Sequence, residues 1–149
     1  MNIFLPCLYS LLGCIGFCLV YNIRGKMLIL ATLGGVLGWF TFLMCGSMQN
    51  VMIQSFIAMM VIAIYSEIMA RVHKMPVTVF LIVSLIPLVP GSNIYYTMEY
   101  CINGQIIEFL KSALETIAIS GALALAILLV SSLTRFFTSI IKHFKHFHL

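Results

Sequence analysis

Hydrophobic residues gather in five runs along this chain, at about 3–20, 27–45, 51–69, 77–89 and 113–134, with polar residues collected in the short stretches between them. A helix needs about 20 mostly apolar residues to cross a bilayer. The pattern therefore predicts an all-α, polytopic membrane protein of five transmembrane helices, with residues 1–149 forming a single integral membrane domain. The fourth run, 77–89, is short. As a helix it reaches roughly 20 Å, less than a hydrocarbon core of about 30 Å, so the segment 90–102 has to complete the crossing. The junction reads Ile86-Pro87-Leu88-Val89-Pro90-Gly91-Ser92-Asn93. Pro87 removes a backbone donor and clashes with the preceding turn, and Pro90-Gly91 stops the same helix from continuing. Two readings follow: a helix broken inside the membrane, or a kink or helix end leading into an external loop. In lipid, irregular backbone survives only where it is buried in protein or lines a cavity. In the first reading the amides of Ser92, Asn93 and Ile94 open a new helix, capped by Ser92. Its positive dipole end can face an anion, as in transporters built on discontinuous helices. Gly91 then supplies conformations open only to glycine.

Composition agrees with the runs. Hydrophobic residues make up 62% of the chain and charged ones 8%, and the mean hydropathy is +1.14, which leaves no soluble domain. No Lys or Arg precedes Arg24 and no small-residue cleavage site follows the first run, so that run reads as a retained helix rather than a signal peptide. Of the 8 basic residues, all but Lys111 fall in three places: Arg24 and Lys26, Arg71 and Lys74, and Arg135, Lys142 and Lys145. The positive-inside rule puts these three places in the cytoplasm. The 90–112 connection carries Glu99 and Glu108 against Lys111 alone. Five helices with the N-terminus outside satisfy this distribution.

Tyr21 to Lys26 holds turn residues and a basic pair, predicting a tight hairpin between the first two helices. Gly34, Gly35 and Gly38 include a GxxxG pair, which lets helix backbones approach closely, and the same reasoning assigns Ser120, Gly121 and Ala124 to close packing on the last helix. Glu67 and Arg71 stand four residues apart, the favourable orientation of a helical ion pair. They are either an interfacial pair whose side chains snorkel to the surface or the inner end of a solute path, since ionisable groups in a membrane are costly. Tyr95, Tyr96, Glu99 and Tyr100 make either a polar vestibule or an aromatic belt at the outer interface. Glu108 and Lys111 read as a solvated pair, and Glu115 as a lid or wall of the pathway. The tail 135–149 is amphipathic, with Phe137, Ile140, Ile141, Phe144 and Phe147 opposite Arg135, Lys142, Lys145 and His146, which predicts a helix on the inner membrane surface. Cys7, Cys14, Cys18, Cys45 and Cys101 lack paired spacing and read as packing residues. His143, His146 and His148 have no partner ligands that would make a dedicated metal site. No phosphate loop, nucleic-acid motif or nucleophile–base pair is present, so neither an enzyme nor a cofactor is expected.

These residues carry a resemblance. Gly16-Phe17, Tyr21-Asn22 and Gly38-Trp39 in the first hairpin, Ser66-Glu67-Ile68-Met69-Ala70-Arg71 with Lys74 and Pro76, and Val79-Phe80-Leu81-Ile82 running into Ile86-Pro87-Leu88-Val89-Pro90-Gly91 belong to it. It continues through Tyr95-Tyr96-Thr97-Met98 and Leu114-Glu115-Thr116. Over nearly its whole length the chain resembles the small subunit of the threonine/serine exporter family, the half equivalent to the C-terminal membrane part of the single-chain exporters. The resemblance implies ion-driven export of small hydroxy amino acids or related carboxylates across the cell membrane of a bacterium. It also implies a larger partner subunit with its own membrane helices and a cytosolic region, and hence a hetero-oligomer. A structural or regulatory membrane subunit, or an oligomeric pore, is the alternative.

Overall fold

The computed structural model describes residues 4–48 and 50–146, with side chains as far as Thr138. It is helical, with no strand among the described residues. The elements are α1 (Phe4–Val20), α2 (Lys26–Met44), α3 (Val51–His73), α4 (Val77–Leu85), α5 (Gly91–Ile102) and α6 (Ile106–His146), with 3₁₀ turns at Cys45–Ser47 and Ile86–Leu88. The connections are short and use the expected residues. Asn22 and Gly25 take positive φ between α1 and α2, and Gly104 does so between α5 and α6. Asn50 accepts from the Met52 amide to cap α3.

Four of the five predicted helices begin and end within a few residues of the observed ones. α3 runs past 69 to His73, ending on Lys74 in the left-handed region whose amide bonds to the Ala70 carbonyl, with Pro76 just beyond. The last helix is longer than its apolar run at both ends. It begins at Ile106 rather than 113, and it continues through Arg135 to His146, so the tail is not a separate surface element. No Gly or Pro follows Gly121 to stop it, and the hydroxyls of Thr134 and Thr138 turn back onto the carbonyls of Val130 and Thr134. The predicted apolar face of Ile140, Ile141, Phe144 and Phe147 and the histidines His143, His146 and His148 lie outside the described side chains.

Successive directions alternate. Ser10 Oγ donates to the Gly35 carbonyl and Cys18 Sγ to that of Leu28, so α1 and α2 are antiparallel. Tyr65 Oη donates to Leu30 O at 2.8 Å while Gly38 abuts Ile62, so α2 and α3 are antiparallel. Ser84 meets Ala31 and Leu88 shares a cluster with Trp39, so α4 runs parallel to α2. α3 and α6 are parallel: Ala58, Met59 and Ile62 pack with Ile119, Leu123 and Ala126, and Arg71 reaches Thr138.

The core falls into two clusters. One centres on Met59, Ile62, Leu88, Leu123 and Ala126, and the other on Cys14, Cys18, Ala31, Phe80 and Val83. The glycine stripe of α2 makes the close approaches possible. A methyl group on Gly34 would overlap Ser84, one on Gly35 would overlap Cys14, and one on Gly38 would overlap Ile62, so that face is buried as predicted. The matching expectation for α6 fails within the chain. Ser120, Gly121 and Ala124 are exposed, with open space around Gly121, because α6 turns Ile119, Leu123, Ala126 and Val130 inward instead.

Among the described residues, Lys26–Ser47, Val51–His73 and Ile106–Thr138 are long and apolar enough to cross a membrane. Val77–Leu88 and Gly91–Ile102 qualify together as a pair bent by 55°, and α1 is a shorter apolar helix.

Candidate functional site

The break between α4 and α5 lies within the thickness of the bundle. Leu88, the last residue of its 3₁₀ turn, is buried in one cluster with Ala58, Met59 and Ile62 of α3. These lie seven to eleven residues into α3, which at 1.5 Å per residue is roughly 10–16 Å from its start. Pro87 and Pro90 have no N–H to give. Val89 N bonds back to Ile86 O at 3.2 Å, Gly91 N to Val89 O at 2.7 Å and Ile94 N to Pro90 O at 3.0 Å. Among the described residues, the amides of Ser92 and Asn93 meet no backbone carbonyl, and no side chain caps the helix.

Two expectations change here. Ser92 does not cap α5, because Pro90 holds the cap position and Ser92 already lies inside the first turn. The Ile94 amide, taken up by Pro90, is closed to a ligand. Gly91 has no positive φ, and a side chain there would meet open space, so the need for glycine is not conformational. Pro87, Pro90 and Asn93 are half-buried while Gly91 and Ser92 are exposed.

α5 buries none of its residues. It folds back on the start of α6 as an antiparallel hairpin, closed by a polar contact between residues distant in sequence: Thr97 Oγ1 donates to Asn93 O at 2.6 Å, and the Ser112 hydroxyl, 2.7 Å from Thr97 Oγ1 and 3.3 Å from Asn93 O, donates to this pair of oxygens. The signal was present, since Asn93 and Thr97 are one turn apart, but Ser112 is reached only through the fold. The hairpin stands beyond the α2–α3 end of the bundle. From Thr138 back to Ile106 is about a dozen residues more than from Arg71 back to Val51, roughly 18 Å of helix.

Glu99 is exposed and lies eight residues beyond Gly91, roughly 12 Å along the helix, too far to share one small solute with the break. It lines a concavity of about 170 Å³ with Tyr95, Ile102 and Asn103. Tyr95 and Tyr96 meet edge to face, and Tyr96 and Tyr100 stack with centroids 6.5 Å apart. α5 offers no basic side chain. Glu115, Glu108 and Lys111 are exposed, and the structure brings none of them to the break.

At the other end of α3, the Glu67 side chain is 12% exposed and pairs with half-exposed Arg71 at 3.1 Å. Arg71 Nη2 also reaches Thr138 Oγ1 at 3.5 Å, which ties α3 to α6. The ion pair and the break are therefore separate places: Glu67 lies five residues beyond Ile62 on α3, roughly 8 Å along the helix from the level of Leu88. An apolar groove of about 460 Å³ between α1 and α2, lined by Phe4, Leu8, Leu11, Val36 and Phe40 among others, lies apart from both and suits a lipid chain rather than a polar solute.

A family model described as Threonine/Serine exporter, ThrE, matches residues 6–133. The chain belongs to the threonine/serine exporter family. The match spans the break, the Glu67–Arg71 pair and the α5–α6 hairpin. No curated protein and no solved structure matches the chain. As a member of this family the chain has an exporter-type transport role, in a family of transporters rather than enzymes. With its long apolar helices it is a multi-pass membrane protein.

Proposed function

We propose that this chain is the small membrane subunit of a two-component secondary exporter of threonine, serine or related small carboxylates. It works in the cell membrane with a larger exporter-family subunit that carries its own membrane helices and a cytosolic region. The observation that carries the reading is a helix broken inside the bundle, with two uncommitted amides at the start of α5, in a chain of an exporter family. Such an interruption offers donors that a carboxylate can satisfy, and each charge-assisted hydrogen bond contributes about 1.5–3 kcal/mol.

The alternating directions of α1, α2, α3, α4 and α6 support five crossings, with α1 at the short end of the spanning range. The positive-inside rule then sets the N-terminus outside and the tail inside. In this frame Pro87, Pro90, Gly91, Ser92 and Asn93 form the outer part of the path, and Tyr95, Tyr96 and Glu99 a vestibule on the projecting hairpin. Glu115 lies beside the entrance, and Glu67 and Arg71 serve the cytoplasmic end.

The deciding experiment measures efflux of labelled threonine and serine from cells producing this chain, its larger partner, or both. Efflux only with both supports the reading. Efflux from the partner alone at the full rate would make this chain a structural or regulatory subunit, a role favoured by the exposed small-residue face of Ser120, Gly121 and Ala124. Efflux from this chain alone would make it an oligomeric pore.

A further inference from the structure

A recess of about 220 Å³ lies between the α1–α2 turn and the start of α4, lined by Tyr21, Ile23, Thr78, Val79, Ile82 and Val83. The turn is fixed there by packing, since Ile23, Val77 and Val79 rest on one buried cluster of Cys18, Ala31, Phe80 and Val83. The polar lining belongs to the helix ends: Tyr21 follows the last residue of α1, and Thr78 the first of α4. Ile82 stands one turn further into α4, roughly 6 Å deeper. The recess therefore changes from polar to apolar as it enters the bundle.

Its polar end holds donors without acceptors. The other threonines give their hydroxyls to carbonyls of their own helices: Thr32 to Leu28, Thr41 to Leu37, Thr97 to Asn93, Thr116 to Ser112, Thr134 to Val130 and Thr138 to Thr134. Thr78 is the exception among the described residues, because the residue four before it, Lys74, lies outside α4 in the left-handed region. The amides of Val77 and Thr78 meet no backbone carbonyl among the described residues, and α4 has neither a capping side chain nor an acidic residue in its first turn.

The charges around this end have one sign. Arg24 adjoins Ile23 of the recess, Lys26 opens α2, and Lys74 begins the turn into α4; all three are exposed and make no ion pair among the described residues. Of the acidic residues, Glu67 is held by Arg71, and Glu99, Glu108 and Glu115 stand on the α5–α6 hairpin at the opposite end. No carboxylate of the chain is left to neutralise the three cations.

We propose that this recess binds an anionic phospholipid of the leaflet at the basic end, with its phosphate at Thr78 and the start of α4, between Arg24 and Lys74, and the upper part of one chain on Ile82 and Val83. A phosphate only accepts, whereas the hydroxyl, the helix-start amides and the two cations all have hydrogens to give. A free anion leaves the apolar half of the recess unfilled. A zwitterionic lipid brings its own cation to a place that already holds three. The positive-inside rule puts this end in the cytoplasm, where the leaflet carries the anionic lipids. The site lies apart from the break and does not depend on which solute the chain moves.

The test titrates the full chain, purified in a neutral detergent, with phosphatidylglycerol or phosphatidylcholine and counts bound lipid by native mass spectrometry. Phosphatidylglycerol should bind at least tenfold more tightly and raise the thermal midpoint, since a ligand of the folded state stabilises it. Inorganic phosphate in large excess should not displace it; displacement would make this a free-anion site and overturn the lipid. Thr78→Val, the pair Arg24→Gln with Lys74→Gln, and Ile82→Trp, which fills the apolar half, should each weaken phosphatidylglycerol binding at least fivefold while the lipid-free midpoint stays at the wild-type value. Lys111→Gln, at the far end, removes the same charge from the chain and should leave binding unchanged. Equal binding of the two lipids, binding within twofold of wild type in both the double variant and Ile82→Trp, or an equal loss in Lys111→Gln would overturn the site.

Discussion

At the residue scale, glycine acts in this protein through what it lacks. Gly34, Gly35 and Gly38 admit Ser84, Tyr65, Cys14 and Ile62 from three other helices into the space a Cβ would fill, whereas Gly121 faces open space on α6. Gly34→Val should therefore lower stability by about 1–3 kcal/mol, the usual range for overpacking a filled interior. The measurement is the thermal midpoint of the purified protein, which should fall, with reduced membrane abundance. Gly121→Val should leave the same midpoint unchanged. A normal midpoint for Gly34→Val would mean that α2 and α4 are not packed as described. The spacing of the glycines was legible in the sequence. Their neighbours were not, because each contact depends on the rotation and depth of a different helix.

At the element scale, the decisive feature is the interruption between α4 and α5. Its prolines and glycine were readable because Pro removes a donor and obstructs the preceding turn wherever it stands. The 55° bend and the packing of Leu88 into the α3–α6 core come only from the assembled bundle. Replacing Pro87 and Pro90 together by Ala restores two amide donors and should let residues 77–102 wind as a more continuous helix, committing the amides that the break leaves free. Threonine efflux should drop tenfold or more at unchanged membrane abundance, and a cysteine placed at Ser92 should lose reactivity toward an external impermeant thiol reagent. Unaltered efflux and reactivity would return this segment to a structural kink. The length of α6 was underestimated for a related reason. Apolar patterning reports which residues tolerate lipid, while helix ends are set by breakers, and no Gly or Pro follows Gly121.

At the scale of the whole molecule, the alternating directions and the positions of the basic residues predict five crossings with the N-terminus outside and the tail inside. A reporter fused after Leu149 should read as cytoplasmic and a tag inserted at Met48 as external. An external C-terminal reporter, or a cytoplasmic tag at Met48, would refute the five-span arrangement. The surface also bears on partners. α5 and the start of α6 expose Ile102, Ile106, Ile107, Leu110 and Leu114 beyond the end of α3, and the small face of Ser120, Gly121 and Ala124 continues the same helix. If that face receives the proposed larger subunit, Gly121→Val should reduce co-purification of the two severalfold although the chain itself is as stable as wild type. Undiminished co-purification would place the contact elsewhere.

By itself the sequence determined the membrane class, four helix boundaries to within a few residues, the break and the family resemblance. Each of these follows from local chemistry: the free energy of apolar residues in lipid, the geometry of Pro and Gly, and the spacing of residues on one helix. The tertiary structure alone decided which polar groups are satisfied and which are not. It closed the Ile94 amide with Pro90, joined Thr97 to Ser112, separated Glu99 from the break, and left Trp39 Nε1 and Ser66 Oγ without a partner among the described residues. A hydrogen bond between distant residues depends on the relative depth and rotation of two helices, and these are set by packing around Gly34, Gly38 and Ile62 rather than by any pattern within one segment.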